Sequence, residues 1–350
     1  MKPRALLLAG ALAGCGHSGP FTPGDYGSDH PFGAGLPARL TYNRGDDRTP
    51  AWLPDGSAIV YSLQRLDRSD HDRCLALLPP GGGSVIREIC NRDPAADGTT
   101  DAYDEPAPAP DGRLAYQRAS SFPGAVVPDS AALVVASLAN PFAARVLRTL
   151  PYAGADGRVR THAYQLQWLG ASSLVYVAQA AAYPRPCSGC APDTVRSGLE
   201  VARIDLANPA PQGVPNTPYA SSVAAGETAD VIYYTLGGDS RVYRRVLSTG
   251  ADAVVHDFGA IARDVAVRGD VLVAVVGGTV SFAYDSVLGY PVQRDAGGPL
   301  YALRLSTGAV SALPTLSASY RRPAISPSGT RLVAEQVSGA SVDLWLFDVP

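Results

Sequence analysis

One phrase recurs along this chain. Residues 50–61 read P-A-W-L-P-D-G-S-A-I-V-Y, residues 106–116 read P-A-P-A-P-D-G-R-L-A-Y, and residues 323–334 read P-A-I-S-P-S-G-T-R-L-V-A. Each copy is a short apolar run, a Pro-Asp-Gly or Pro-Ser-Gly turn, and a second apolar run. Proline presets φ at the second turn position and glycine takes the left-handed conformation, so each copy reads as a β-hairpin. A hairpin returning at long intervals means a repeat architecture, in which each unit buries its faces against its neighbours. Such a chain folds as a ring or a stack.

Alternating apolar runs separated by turn residues divide the 350-residue chain into six four-stranded units. The first has inner strands around 51–53 and 58–62, followed by 74–78 and 84–90. The second runs over 106–150, with L-V-V-A-S-L-A-N-P at 133–141 closing its third strand. The third uses L-Q-W-L-G-A-S-S-L-V-Y-V at 166–177 and V-A-R-I-D-L-A-N-P at 201–209, so the L-A-N-P turn is itself repeated. Units four and five lack the Pro-Asp-Gly turn but keep an outer hairpin, R-R-V-L-S-T-G-A at 244–251 and A-L-R-L-S-T-G-A at 302–309. Their inner strands are expected at 230–235 and 270–276. The sixth unit begins at Arg321 and ends with D-L-W-L-F-D-V at 343–349, one strand short. Near the start, A-R-L-T-Y-N at 38–43 has no hairpin partner. Using it as the missing strand closes the ring and leaves no long free edge. The expected fold is all-β: a six-bladed β-propeller with four-stranded blades, closed by an N-terminal strand that completes the last blade.

R-L-T, a spacer, and P-A-W-L-P-D-G-S-A-I-V-Y together resemble the repeat of TolB-type (WD-like) β-propellers. That repeat occurs in exported bacterial proteins and in prolyl oligopeptidase-related chains. The resemblance covers the chain from Ala38 onward. TolB itself carries an additional N-terminal α/β domain that binds its partner, where this chain has a tether. The peptidase branch implies a Gly-x-Ser-x-Gly elbow and a downstream hydrolase domain, and the sequence has neither.

Lys2 and Arg4 precede an apolar stretch, 5–13, too short to span a bilayer, and L-A-G-C at 12–15 follows. This resembles the bacterial lipobox, in which the cysteine, here Cys15, is acylated and becomes the new N-terminus. An ordinary signal peptide cut elsewhere, with a chance cysteine, is the alternative. The expected layout is a lipoprotein signal peptide over 1–14, a flexible tether over 15–37 and a propeller over 38–350. Residues 16–37, rich in Gly and Pro without an apolar period, suit the tether. Gly16 after the cysteine favours lipid anchoring at the outer membrane, facing the periplasm. The formal net charge is −3, and no basic stripe stands out, so nucleic acid is not an expected partner.

In a propeller, the loops entering each innermost strand and those joining strands two and three emerge on one face. Connections around 63–73, 117–130, 180–198 and 281–298 are long, while the turns on the other face are short. A binding surface is therefore expected on the long-loop face, around a central funnel. Arg48, Asp104, Glu105, His162, Arg263, Asp264, Arg321 and Arg322 are expected at its mouth. That mixture suits a polar small molecule or a protein segment. Asp70, His71 and Asp72 read as a solvated charged loop, and adjacent pairs such as Asp46-Asp47 carry no catalytic spacing. No catalytic residue, metal or cofactor is expected.

Cys74 and Cys90 are equidistant from Gly82 in P-P-G-G-G. A regular hairpin there sets them opposite each other with Cβ atoms about 4.5–5.5 Å apart, within reach of a disulfide in an oxidising compartment. The closed loop of about 15 residues gives up to roughly 3 kcal/mol by chain entropy. Cys187 and Cys190, in a Pro-rich loop, read as a second, loop-stapling disulfide. Zinc would need two more soft ligands and a thioredoxin-like role would need a helix start. The resulting expectation is a non-catalytic binding or scaffold module held to the cell envelope by lipid. The alternative is an envelope enzyme of hydrolase, lyase or cyclase type, requiring three or more convergent His, Asp or Glu side chains in the funnel.

Overall fold

The apolar runs of this chain are continuous rather than alternating because both faces of its sheets are covered by neighbouring sheets. The structure, a computed structural model, describes residues 36–42, 45–64, 73–90, 100–121, 130–150, 157–184, 196–278, 280–285, 290–315, 319–338 and 341–350. Cys15, Asp70, His71, Asp72, Cys187 and Cys190 lie outside the described residues, as do the signal peptide and the tether up to residue 35.

The strands are β1 (Ala38–Arg39), β2 (Asp47–Trp52), β3 (Ile59–Gln64), β4 (Arg73–Leu78), β5 (Arg87–Ile89), β6 (Thr100–Pro108), β7 (Arg113–Ser121), β8 (Ser130–Ser137) and β9 (Arg145–Leu150). There follow β10 (Gly157–Leu169), β11 (Ser173–Pro184), β12 (Arg196–Asp205), β13 (Asn208–Gly213), β14 (Ala220–Ala225), β15 (Val231–Leu236), β16 (Arg241–Val246) and β17 (Ala251–Asp257). The last are β18 (Ala262–Arg268), β19 (Val271–Val276), β20 (Val280–Asp285), β21 (Tyr290–Asp295), β22 (Leu300–Arg304), β23 (Val310–Ala312), β24 (Ser319–Ile325), β25 (Arg331–Ser338) and β26 (Ser341–Asp348).

They form a six-bladed β-propeller. Blades one to four are the antiparallel sheets β2–β5, β6–β9, β10–β13 and β14–β17. The fifth is β18-β19-β22-β23, with β20 and β21 as a separate hairpin inside the long 281–298 connection. The sixth runs β24-β25-β26-β1. In blades four and five the runs at 230–235 and 270–276 are the second strands. The innermost strands are β14 and β18, whose sequences lack the proline that marks β2, β6 and β24.

Ring closure uses fewer residues than the expected 38–43. β1 pairs with β26 through Ala38↔Leu346 and Arg39↔Trp345. Leu40 N–H then donates to Leu344 O at 2.7 Å, and Leu344 N–H to Thr41 Oγ1 at 2.9 Å. Leu40 is 1% exposed, so this short segment is fastened by its side chains as well as its ladder.

The apolar interior is divided into six clusters, one at each blade–blade interface. Within β3, Val60 packs with Tyr103 and Tyr116 of blade two. Ile59, Tyr61 and Leu63 pack with Val333, Leu344 and Leu346 of blade six. Each strand thus serves two interfaces by the period-two alternation of its side chains. The hairpin turns work as read: Gly56, Gly112 and Gly329 have φ of 73°, 82° and 74°. In the first blade, Leu75↔Ile89, Ala76↔Glu88 and Leu77↔Arg87 set the β4–β5 register. Continuing it brings Cys74 opposite Cys90, and the two are joined by a disulfide with Cα atoms 4.6 Å apart.

Candidate functional site

Every innermost strand is interrupted by a bulge. The ladder shifts between Arg48 and Ala51, Asp104 and Ala107, Tyr164 and Gln167, Ala220 and Ser222, Arg263 and Ala266, and Arg321 and Ala324. At five of these bulges a non-glycine residue takes the left-handed conformation: Thr49 (φ 51°), Glu105 (52°), Gln165 (54°), Asp264 (49°) and Arg322 (52°). This costs about 1–2 kcal/mol per residue, and the return is a side chain re-aimed out of its own sheet.

The re-aimed side chains tie each blade to the next. Thr49 Oγ1 donates to Asp104 (3.0 Å). Gln165 N–H donates to Glu105 (2.9 Å), Val223 N–H to Gln165 Oε1 (2.8 Å), and Val265 N–H to Ser222 Oγ (3.3 Å). Arg322 N–H donates to Asp264 (3.1 Å). The circuit closes where Thr49 N–H donates to Glu335 (2.6 Å). Backbone donors freed by the bulges are thereby satisfied from a neighbouring blade, as buried amides require.

Across the ring runs a second set of contacts. Arg322, from blade six, forms a two-pronged ion pair with Glu105 of blade two at 2.9 and 2.7 Å, the strong fork geometry of arginine. Its guanidinium carbon stands 3.4 Å from the centroid of Tyr164, whose hydroxyl donates to Asp264 at 2.8 Å. His162 Nε2 meets Glu105 at 3.1 Å. Its Nδ1 meets the Gln117 amide nitrogen at 2.9 Å, and Gln117 Oε1 accepts from Ala163 N–H. This fixes the tautomer, with Nδ1 accepting and Nε2–H donating.

Burial would raise the Glu105 carboxyl, but Arg322 and His162 outweigh it and hold it below its ordinary value. Asp104 is lowered against burial in the same way, by Arg73 and His162. Asp264 goes the other way: burial and the nearby Asp295 push it up, against Arg322. Burial lifts the Tyr164 phenol well above its usual range. Arg48 is lowered by burial and by the neighbouring Arg73.

The eight residues expected at the mouth all sit on innermost strands, at two depths. Glu105, Asp264 and Arg263 are 3%, 1% and 5% exposed, and Arg322 is locked into the ion pair above. Arg263 holds Asp295 (2.6 Å) and Gly297 O (2.9 Å), while Arg321 pairs with Glu335. Arg48, which pairs with Asp46, and His162 are the more open members, with side chains 36% and 32% exposed. Thr49, Tyr164, Gln165 and Ser222 belong to the network and escaped the sequence reading. A signal for them exists: Thr49, Glu105, Gln165, Ser222, Asp264 and Arg322 each lie six residues before the middle of the first turn of their blade, at Asp55, Asp111, Ala171, Thr228, Asp270 and Ser328. Among the described residues, the one grouping of three potential metal ligands is Cys74, Glu88 and Cys90, and its two sulfurs are consumed in the disulfide.

No family model and no curated protein matches the sequence. Among solved structures, TolB from Acinetobacter baumannii is 16% identical, with 87% of this chain and 64% of that one covered, at a TM-score of 0.44. This chain thus spans less than two thirds of that protein. A TolB-type protein from Agrobacterium tumefaciens is 11% identical over 89% of this chain and 93% of that one, TM-score 0.51. An oligogalacturonate lyase from Vibrio parahaemolyticus is 11% identical over 91% and 96%, also at 0.51. At these identities the likeness shows the fold alone, and in this chain that fold is a six-bladed β-propeller.

Proposed function

We propose that this chain is a non-catalytic binding or scaffold module of the cell envelope. It is anchored by lipid at Cys15 and presents its long-loop face to a protein segment or a polar ligand in the periplasm. The observation that carries this reading is the commitment of the funnel carboxylates. Glu105 and Asp264 each accept from a backbone amide of the next blade as well as from side chains, and Glu335 accepts from Thr49 and Arg321. Both ring nitrogens of His162 are engaged within the protein. A general base needs a free lone pair within reach of a substrate proton, whereas a floor whose carboxylates are already held in place suits recognition. The TolB resemblance supports the location, since it points toward an exported propeller.

Two measurements test it. Cys15→Ser should move the protein out of the membrane fraction, and the wild type should carry acyl mass on its N-terminal cysteine. Crosslinking and pull-down of the tagged lipoprotein should recover a partner that Arg48→Glu with His162→Ala loses. Unchanged membrane association with no acyl mass would defeat the anchoring. A partner footprint confined to the Ser-Thr-Gly turns would defeat the choice of face.

A further inference from the structure

On the other side of the ring the channel widens into a cavity of 620 Å³, within the roughly 300–1,000 Å³ of small-ligand sites. Glu105, Gln165 and Arg322 form its floor, and turn residues such as Pro54, Pro110 and Pro327 its rim. It opens on the face opposite the long loops.

The chemistry of its wall follows from strand geometry. In an antiparallel pair, residues alternate between those whose N–H and C=O face the partner strand and those whose groups face away. Leu53 N–H donates to Ala58 O, Ala109 to Arg113 O and Ser326 to Arg331 O. Counting back by twos, Ala51, Ala107 and Ala324 face their partner strands. Pro50, Pro106, Pro108 and Pro323 then turn their backbone toward the channel, where proline offers a carbonyl and no donor. In blades four and five the corresponding N–H groups of Val223, Ala225 and Val265 are taken by Gln165, Gln167 and Ser222. Of two such positions per blade, four are proline and three have spent their donors on side chains. The inner edge is rich in acceptors.

Two indoles complete the wall. Trp52 Nε1–H donates to Ala324 O (3.0 Å) and Trp168 Nε1–H to Ala107 O (2.7 Å). Arg113 stands 4.5 Å from the Trp168 ring centroid. Both rings are set before any ligand arrives, and what they add is apolar surface. The charges lining the cavity are committed: Arg322 to Glu105 and Glu227 to Arg244, while Arg268 is exposed at the rim. A cation entering finds no unspent carboxylate, an anion meets only the solvent-exposed Arg268 at the rim, which donates to Pro327 O at 3.4 Å, and a purely apolar ligand would leave the carbonyls buried and unpaired. We propose that the cavity binds a neutral, hydroxyl-rich glycan, with a sugar ring face on Trp52 or Trp168 and hydroxyls donating to the inner-edge carbonyls.

Titration of the mature protein with cellobiose and maltose, followed by tryptophan emission and calorimetry, tests this. A neutral disaccharide should shift the emission and bind more tightly than its uronic-acid or amino-sugar counterpart. Trp168→Ala should weaken that binding roughly tenfold or more. Because that variant can also loosen the fold, Ala229→Trp, at an exposed rim position, serves as a plug and should abolish sugar binding while leaving partner capture by the long-loop face intact. Tighter binding of a charged counterpart, no response to any neutral probe, or binding unchanged in both variants overturns the proposal.

Discussion

The two ends of the central channel are built from the same six strands, a few residues apart, and their chemistry is opposite. Toward the long loops, Arg48, Asp104 and Arg321 present charge and His162 its ring nitrogens, all engaged in ion pairs and hydrogen bonds. Toward the short turns, Trp52, Pro108, Trp168 and Ile325 present rings and carbonyls around an open cavity. The boundary is the ring of bulge residues. A bulge adds one residue to a strand and shifts its side-chain alternation by one, and the wall is charged on one side of it and apolar on the other. One strand can therefore serve two different surfaces without any loop insertion.

If both ends rest on that ring, breaking it should damage both. Arg322→Ala removes the cation from Glu105 and Asp264 while leaving their carboxylates buried. Loss of one partner from such a site costs about 3–5 kcal/mol, which should appear as a large drop in the urea midpoint. The double variant Glu105→Gln, Arg322→Met should cost clearly less than the two single changes added together, since neither charge is then stranded. A cost additive over the two sites would show that the ion pair does not hold the ends together.

How much of this was legible beforehand differs between the ends. The Pro-Asp-Gly turns, which are local chemistry, announced the hairpins and hence the blades, and the P-P-G-G-G symmetry announced the Cys74–Cys90 register. Innermost strands β14 and β18 were missed as such because they carry neither the turn and proline of β2, β6 and β24 nor the Trp-Leu that the chain repeats at 52–53 and 168–169. The mouth residues were readable as charges at strand starts. Their depth was not, because burial of Glu105 and Asp264 depends on bulges, and a bulge leaves no residue signature when its left-handed position holds Thr, Glu, Gln, Asp or Arg instead of glycine. The cavity was equally hidden. Its prolines were read as turn and repeat markers, and their second consequence, a donor-poor inner edge, needs the ladder to be known.

A smaller effect separates the ends within one strand. Thr49 is left-handed and bonded to Asp104, while Ala51, two residues nearer the cavity, sits in the regular ladder. Thr49→Gly relieves strain of about 1–2 kcal/mol and loses one hydrogen bond of about 1 kcal/mol, so it should remain within about 1 kcal/mol of the wild type. Thr49→Val keeps the strain and loses the bond, costing about 1–2 kcal/mol. Ala51→Gly should lose roughly 0.5–1 kcal/mol, the usual penalty for glycine in a strand. Thr49→Gly as costly as Thr49→Val would remove the strain that distinguishes the ring from the cavity wall.

The smallest expected effect is in pH, and it divides the ring itself. Glu105 and Asp104 are held below their ordinary values, against burial, by Arg322, His162 and Arg73. Such groups contribute stability that is present above their unfolded values, about 4.3 and 3.9, and lost as pH falls through the lower folded ones. Asp264, raised by burial and by Asp295, has the opposite sign: its contribution is present below about pH 3.9 and lost as pH rises through its folded value. Acidification from neutrality should therefore first strengthen the fold through Asp264 and then weaken it through Glu105 and Asp104, giving a shallow maximum in weak acid. Asp264→Asn should flatten the rise and leave the fall, and Glu105→Gln should reduce the fall and leave the rise. Urea midpoints between about pH 7 and pH 3 resolve the two limbs. A monotonic profile, unchanged by Asp264→Asn, would mean that the Asp264 carboxyl is not raised, and that Arg322 outweighs both burial and Asp295 on the blade-five side of the ring.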